Sequence, residues 1–314
     1  MMDKYPMAKS PLSCRTRRDL LVPPWSLWPL HSMAPLAQTL ALLAMAMATT
    51  AVDVIPLDMA QDSFDDQYRG CGPAMTVALP ALNRSEFEQN PLFGQAWVKA
   101  TAEWQSRGSP VSPLSSPAQA IALMAYTMND LYKKFNDAVR VAGSSSQEYR
   151  DNFHFKTLHF LLTQALVTLR DTQGSQCHNV YRGVHGVRFK AEYGDIVRFG
   201  QFTSASQSGT TAQQFGIDTL FYVHTCHGAV IQEFSNYPGE KEVLIPPFET
   251  FEVIEESQEG DRAWIQLRST GIFSKYSCEW LGGDTTGGSV PRAPFHLSGL
   301  LLATTALAVA TGIL

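Results

Sequence analysis

The chain has 314 residues and 45% hydrophobic content, the profile of a globular protein with a substantial core. Its net charge is −5, and no basic patch interleaved with aromatics occurs, which argues against a nucleic-acid partner. The basic residues Lys4, Lys9, Arg15, Arg17 and Arg18 gather at the start, so the middle of the chain is more acidic than the whole.

That basic stretch precedes an apolar, uncharged run from Met33 to Val52, with small residues at Ala46-Met47-Ala48. The order matches a secretory signal, so residues 1–51 are expected to be leader and signal peptide, with Met33 as an alternative start. Asn83-Arg84-Ser85 is an N-glycosylation sequon and suggests a surface position. Ser106 to Pro117 is rich in Ser, Pro and Gly and predicts a loop. Ala118 to Tyr126 and Leu131 to Val141 predict helices, and Gly143 to Ser146 a turn. Phe155, Leu158, Leu162, Ala165 and Leu169 recur at helical spacing and predict one buried stripe.

After Gly174 the pattern changes to short β-branched and aromatic runs. Strands are expected at Asn179 to Tyr181, Ile196 to Phe199, Thr219 to His224, Val230 to Phe234, Val243 to Ile245, Phe251 to Ile254 and Ala263 to Leu267. Helices followed by strands predict an α+β fold with antiparallel-rich sheets. No GxGxxG follows a strand and no Walker A loop occurs, so a dinucleotide, if bound, is not held in a Rossmann manner.

At the far end, Leu297 to Leu314 is apolar with no basic flank after it. Gly282, Gly283 and Gly287 to Ser289 supply small residues before a short polar spacer. That order is a glycosylphosphatidylinositol (GPI) attachment signal, so residues 289–314 are expected to be removed and 52–288 to form the mature domain. Cys14 falls in the leader, leaving Cys71, Cys177, Cys226 and Cys278 for two disulfides, with the pairing open.

Three segments carry candidate chemistry. Val180-Tyr181-Arg182-Gly183-Val184 sets an arginine fork beside a glycine, which leaves room next to the backbone. Phe199 to Ser206 is a strand edge dense in small hydroxyls. In Gly239-Glu240-Lys241-Glu242-Val243, residues two apart on a strand share a face, so both carboxylates can project together while Lys241 points away. His224-Thr225-Cys226-His227 has a metal-like composition, but Cys226 is better used in a disulfide, and no metal is expected.

Taken in order, these segments resemble the vertebrate ecto-ADP-ribosyltransferases, in their arginine-specific, GPI-anchored branch. The match comprises Tyr181-Arg182-Gly183, Phe202-Thr203-Ser204-Ala205-Ser206, and Glu240-Lys241-Glu242 followed by Val243 to Glu249. Ser63 to Tyr68 before Cys71, Phe155 to Phe160, and Arg182 to Gly186 extend the resemblance over the whole mature chain. It implies an ADP-ribosyltransferase fold with an NAD-binding cleft, and transfer of ADP-ribose from NAD to arginine side chains of proteins. NAD is then a substrate, and no cofactor is needed. The resemblance assigns Arg182 to NAD binding, Ser204 to the middle motif, Glu242 to catalysis and Glu240 to the choice of arginine as acceptor. Tyr126, Gln201 and Ser235 match positions lining the NAD site. Cys71 pairs with Cys278 and Cys177 with Cys226 by the same resemblance. A monomer on the outer face of the cell membrane is expected. The alternatives are an NAD glycohydrolase using the same site, or a catalytically silent surface-binding protein.

Those roles are chemically coherent. Cleaving the nicotinamide–ribose bond leaves an electron-poor, oxocarbenium-like sugar carbon. An ionised Glu242 stabilises that charge, and Arg182 suits a phosphate.

Overall fold

The computed structural model describes residues 52–129 and 131–282. The expected leader at 1–51 and tail at 289–314 lie outside the described residues, as does the attachment segment from Gly283 onward.

Seven α-helices occur among the described residues: α1 (Gly72–Gln89), α2 (Pro91–Ser106), α3 (Pro117–Tyr126), α4 (Tyr132–Ala142), α5 (Ser146–Asn152), α6 (Lys156–Thr172) and α7 (Gly209–Gln213). Asn90 separates the first two, and its side chain caps α2 by accepting the Phe93 N–H at 3.2 Å. The predicted helical stripe lies on α6, where Leu158, Leu162, Ala165 and Leu169 are buried. The start of α6 is capped from α1: Glu86 accepts the N–H groups of Lys156 at 2.5 Å and Thr157 at 2.9 Å. None of these helices is long and apolar enough to cross a membrane.

The strands are β1 (Asp53–Pro56), β2 (His178–Val184), β3 (Val187–Lys190), β4 (Ile196–Val197), β5 (Thr203–Ser206), β6 (Thr219–Thr225), β7 (Ala229–Val230), β8 (Glu242–Ile245), β9 (Glu249–Glu259) and β10 (Arg262–Ile272). Eight of them form one sheet in the order β4-β9-β10-β6-β2-β5-β8-β7, and β1 pairs with β3 apart from it. Neighbours in the large sheet are antiparallel except β6 and β10. The predicted α+β order therefore holds.

Three local expectations change. The strand expected at Ile196 to Phe199 stops at Val197, because Arg198 turns inward. Its guanidinium is fully buried, pairs with Asp65 at 2.7 Å and donates to the Met59 and Phe273 carbonyls. The expected Val230 to Phe234 strand ends at Val230, and Gln232–Phe234 is a 3₁₀ turn that sends Phe234 into the helical core. The hydroxyl-rich segment is no edge: β5 lies between β2 and β8. The Asn83 sequon lies on α1, with Asn83 half-buried and Arg84 and Ser85 exposed.

The core has two parts, divided by the sheet. Phe202, Phe234 and Leu244 pack against the helices, while Ala205, Val243 and Ile245 pack on the other side with Phe221 and Phe251. This alternation along β5 and β8 is the two-residue strand period, and it fixes which side chains face the helices. Cys71 is bonded to Cys278 and Cys177 to Cys226, as the resemblance implied. The first bridge spans 207 residues of sequence, and closing so long a loop stabilises the fold by about 3–5 kcal/mol in the chain-entropy model.

Candidate active site

The site forms where β2, β5 and β8 lie side by side. Ser204 pairs with Leu244 across the β5–β8 ladder, and Ser206 with Glu242. A cleft opens there, lined by Tyr181, Arg182, Ser204, Ala205, Ser206, Phe215, Glu240 and Glu242. The four residues singled out for chemistry, Arg182, Ser204, Glu240 and Glu242, are thus brought together, although 60 positions of chain separate the first from the last.

Glu242 opens β8 and is only 3% exposed. Its Oε2 accepts a hydrogen bond from the Ser235 hydroxyl at 3.0 Å. Its Oε1 is buried with no hydrogen-bond partner among the described residues. Burial raises the carboxyl's pKa, and the nearby Ser204 and Ser235 hydroxyls pull it back down. An orphaned buried carboxylate oxygen is costly, and in a cleft it is poised to accept a hydrogen bond from a ligand hydroxyl.

Arg182 projects from β2 and donates from Nη1 to the Ser204 carbonyl at 2.6 Å. That bond fixes the guanidinium plane and leaves its other donors available. Burial lowers the Arg182 pKa, while the negative ends of Tyr126, Tyr132 and Glu242 oppose that effect. The glycine after it has a different use from the one expected. A Cβ at Gly183 would stand 2.2 Å from the Ala212 carbonyl oxygen and 2.3 Å from that of Gly216. The space beside Gly183 is therefore filled by the end of α7, which carries Phe215 towards the cleft.

Glu240 reaches the cleft by another route than the predicted strand face. Pro238–Glu240 is a 3₁₀ turn, and Lys241 has left-handed backbone angles, φ 49 and ψ 50. The strand begins only at Glu242. The Ser206 hydroxyl holds the turn by donating to the Glu240 carbonyl at 2.7 Å. The left-handed residue reverses the chain's course, so both carboxylates line the cleft without sharing a strand.

The three remaining predicted residues are placed differently: Ser235 contacts Glu242, while Gln201 lies away from the cleft lining predicted for it. Ser235 is fully buried and orients Glu242 directly. Tyr126 is 1% exposed and stands behind the cleft, its hydroxyl donating to the Phe202 carbonyl at 2.9 Å. Burial raises its pKa to about 12, so it remains a neutral donor. Gln201 is gripped by Arg140 of α4, which also pairs with Asp137, and it is not among the cleft-lining residues. Sequence reading missed Ser206, whose alternation with Ser204 carried the signal, and Phe215, which no local pattern marks.

His224 lies with Cys177 and Cys226 in a group of metal-ligand type, their donor atoms within 4.8 Å of one another. The two sulfurs are joined as a disulfide and do not supply thiolate ligands. His185 is exposed and contacts Asp218 at 3.0 Å.

The erythroblast NAD(P)(+)--arginine ADP-ribosyltransferase of Gallus gallus is 51% identical over 230 residues, covering 72% of this chain and 76% of that protein. The GPI-linked NAD(P)(+)--arginine ADP-ribosyltransferase 1 of Homo sapiens is 50% identical over 244 residues, covering 72% of this chain and 75% of its own. The crystal structure of the eukaryotic mono-ADP-ribosyltransferase ART2.2 matches with a TM-score of 0.63 at 37% identity, covering 71% of this chain and 98% of that one. A variant of the same protein, solved in complex with NAD, matches with a TM-score of 0.63 at 36% identity. The family model for NAD:arginine ADP-ribosyltransferases matches residues 57–275, and the chain belongs to that family.

Proposed function

We propose that this protein is a mono-ADP-ribosyltransferase that moves ADP-ribose from NAD to arginine side chains of other proteins at the cell surface. The observation that carries this reading is Glu242: a buried carboxyl with one oxygen oriented by Ser235 and the other orphaned at a cleft shared with Arg182 and Glu240. The NAD complex of a 36% identical relative supports NAD as the donor.

In the proposed reaction Arg182 holds a phosphate of NAD by charge-assisted hydrogen bonds. The bond between the ribose carbon and the nicotinamide nitrogen breaks, and nicotinamide leaves as a neutral molecule with the bonding electron pair. Ionised Glu242 accepts a hydrogen bond from the neighbouring ribose hydroxyl and stabilises the positive charge developing on the sugar. A nitrogen of the acceptor guanidinium forms the new bond to that carbon. The guanidinium has a pKa above about 12 and is not nucleophilic until it loses a proton, which Glu240 accepts as attack proceeds. Products are ADP-ribosylarginine, nicotinamide and one proton.

The test mixes the purified mature protein with NAD labelled in its adenylate part and an arginine-containing acceptor. Label is expected on the acceptor with one nicotinamide released per transfer. Nicotinamide release without acceptor labelling would indicate a glycohydrolase, and no turnover a binding protein.

The names of GPI-linked relatives and the apolar tail support attachment by a lipid, with residues 1–51 and 289–314 removed during maturation. Treating expressing cells with a phosphatidylinositol-specific phospholipase is expected to release the protein. Protein that stays on the cell and still carries residues 289–314 would indicate a spanning tail.

A further inference from the structure

We propose that Arg107 is a positioning residue for the catalytic carboxylate, setting the orientation of Glu242 through Ser235; this rests on the role given to Glu242 above. Arg107 follows the last turn of α2 and is far from the cleft in sequence. Its Nε donates to Glu103 at 2.8 Å, which fixes the plane of the guanidinium. Nη1 then donates to the Ser235 carbonyl at 2.7 Å and Nη2 to the Asn236 carbonyl at 3.3 Å. One planar fork thus bridges a carboxylate and two successive peptide carbonyls, a geometry that lysine cannot reproduce.

The same segment is held from a second helix. The Asn236 N–H donates to the Thr127 hydroxyl at 2.8 Å, and that hydroxyl donates to the Met124 carbonyl at 3.0 Å. Residues 235 and 236 lie between two single 3₁₀ turns, Gln232–Phe234 and Pro238–Glu240, which supply little internal hydrogen bonding. Their position is therefore imposed from outside, by the ends of α2 and α3.

The consequence passes to Glu242 through one hydroxyl. Ser235 Oγ accepts the Tyr237 N–H at 3.1 Å, so its own proton is directed to Glu242 Oε2 at 3.0 Å. The Ser204 hydroxyl also acts on this carboxyl, and the Ser235 bond to Oε2 is the one that Arg107 can influence. Releasing the Ser235 carbonyl lets the hydroxyl drift and weakens a charge-assisted bond to a buried group.

The test compares wild type with Arg107→Gln, Arg107→Lys, Ser235→Ala and the Arg107→Gln/Ser235→Ala double variant. Nicotinamide release is measured against NAD concentration and pH, together with thermal melting. Arg107→Gln is expected to lower kcat about tenfold, the equivalent of one weakened hydrogen bond to a charged group, with KM for NAD changed by less than about twofold. Its acid limb should move to higher pH, because the ionised carboxyl has lost support. The other titratable and charged groups around Glu242 are Arg182 from β2, Tyr126 from α3 and Glu240 from the turn, and all are retained. Arg107→Lys should fall between, and the double variant should be no slower than Ser235→Ala alone.

A general loss of stability would lower the melting temperature and the amplitude without moving the limb. An unmoved limb or a wild-type kcat in Arg107→Gln overturns the positioning role, and if that variant does not fold, Arg107→Lys decides on the same two readouts. Glu242→Gln runs alongside: if it turns over normally, the catalytic reading itself has failed; if it is dead, an inert Arg107 variant rejects the positioning role alone.

Discussion

Glu242→Gln is expected to lower kcat for both transfer and NAD hydrolysis by at least about a thousandfold, the upper range for losing one electrostatic stabiliser of a transition state. The substitution keeps size and shape, and the Ser235 hydroxyl can still donate to the amide oxygen. Only the negative charge is removed. Since the charge is what meets the oxocarbenium-like carbon, both reactions should fail together. Turnover within tenfold of wild type in a nicotinamide-release assay would remove Glu242 from its role.

The same variant should be at least as stable as wild type at neutral pH. Burial raises the folded-state pKa of Glu242 above its unfolded value. The folded protein then binds this proton more tightly than the unfolded chain, so stability falls as pH rises from the unfolded pKa through the folded one. At neutral pH the wild-type protein carries that penalty, and glutamine does not. A melting temperature that is unchanged or raised, with activity gone, would separate chemistry from folding. Activity of the wild type should in turn decline on acidification through the raised pKa, because the protonated carboxyl cannot stabilise positive charge.

Glu240→Gln is expected to divide the two activities. Transfer to arginine should drop by about a hundredfold or more, while slow release of nicotinamide to water persists. Glu242 serves the cleavage of NAD whatever the acceptor is. Glu240 lines the same cleft on a turn of its own, whose carbonyl accepts from Ser206, while Glu242 is oriented separately by Ser235. A guanidinium is the acceptor that needs a carboxylate partner, both to dock and to lose a proton. Acceptor labelling and nicotinamide release, measured on one preparation, give the ratio directly. Equal loss of both would contradict the division of labour. Lys241→Gln is the control: the residue is exposed and holds its neighbours only through backbone groups, so neither activity should change by more than about twofold.

The sequence by itself determined a good deal. Helical spacing on α6 and the strand runs after Gly174 gave the α+β order, because amphipathic periodicity is a local record of which face is buried. The residues that meet at the cleft were legible too, since Tyr181-Arg182-Gly183, the serine strand and the paired glutamates are each short and contiguous. Local pattern misled where a long-range contact outweighed it. Arg198 ends β4 early because a buried carboxylate, Asp65, lies 133 residues away in sequence. Phe234 leaves the expected strand to fill the helical core. Helices α1 and α2 gave no clear stripe, with Pro80 inside one and exposed Val77 and Val98 on their surfaces.

Only the tertiary structure decided how the site is oriented. The paired glutamates face one cleft through a left-handed Lys241, not through the strand period that a sequence reading supplies. Tyr126 supports the site from behind, Gly183 makes room for α7 and not for a ligand, and Arg107 reaches the Ser235 loop across 128 residues of sequence. Such contacts leave no period in the chain. They arise when packed layers bring unrelated segments within hydrogen-bonding distance, and a one-dimensional pattern records the residue types but not the meeting.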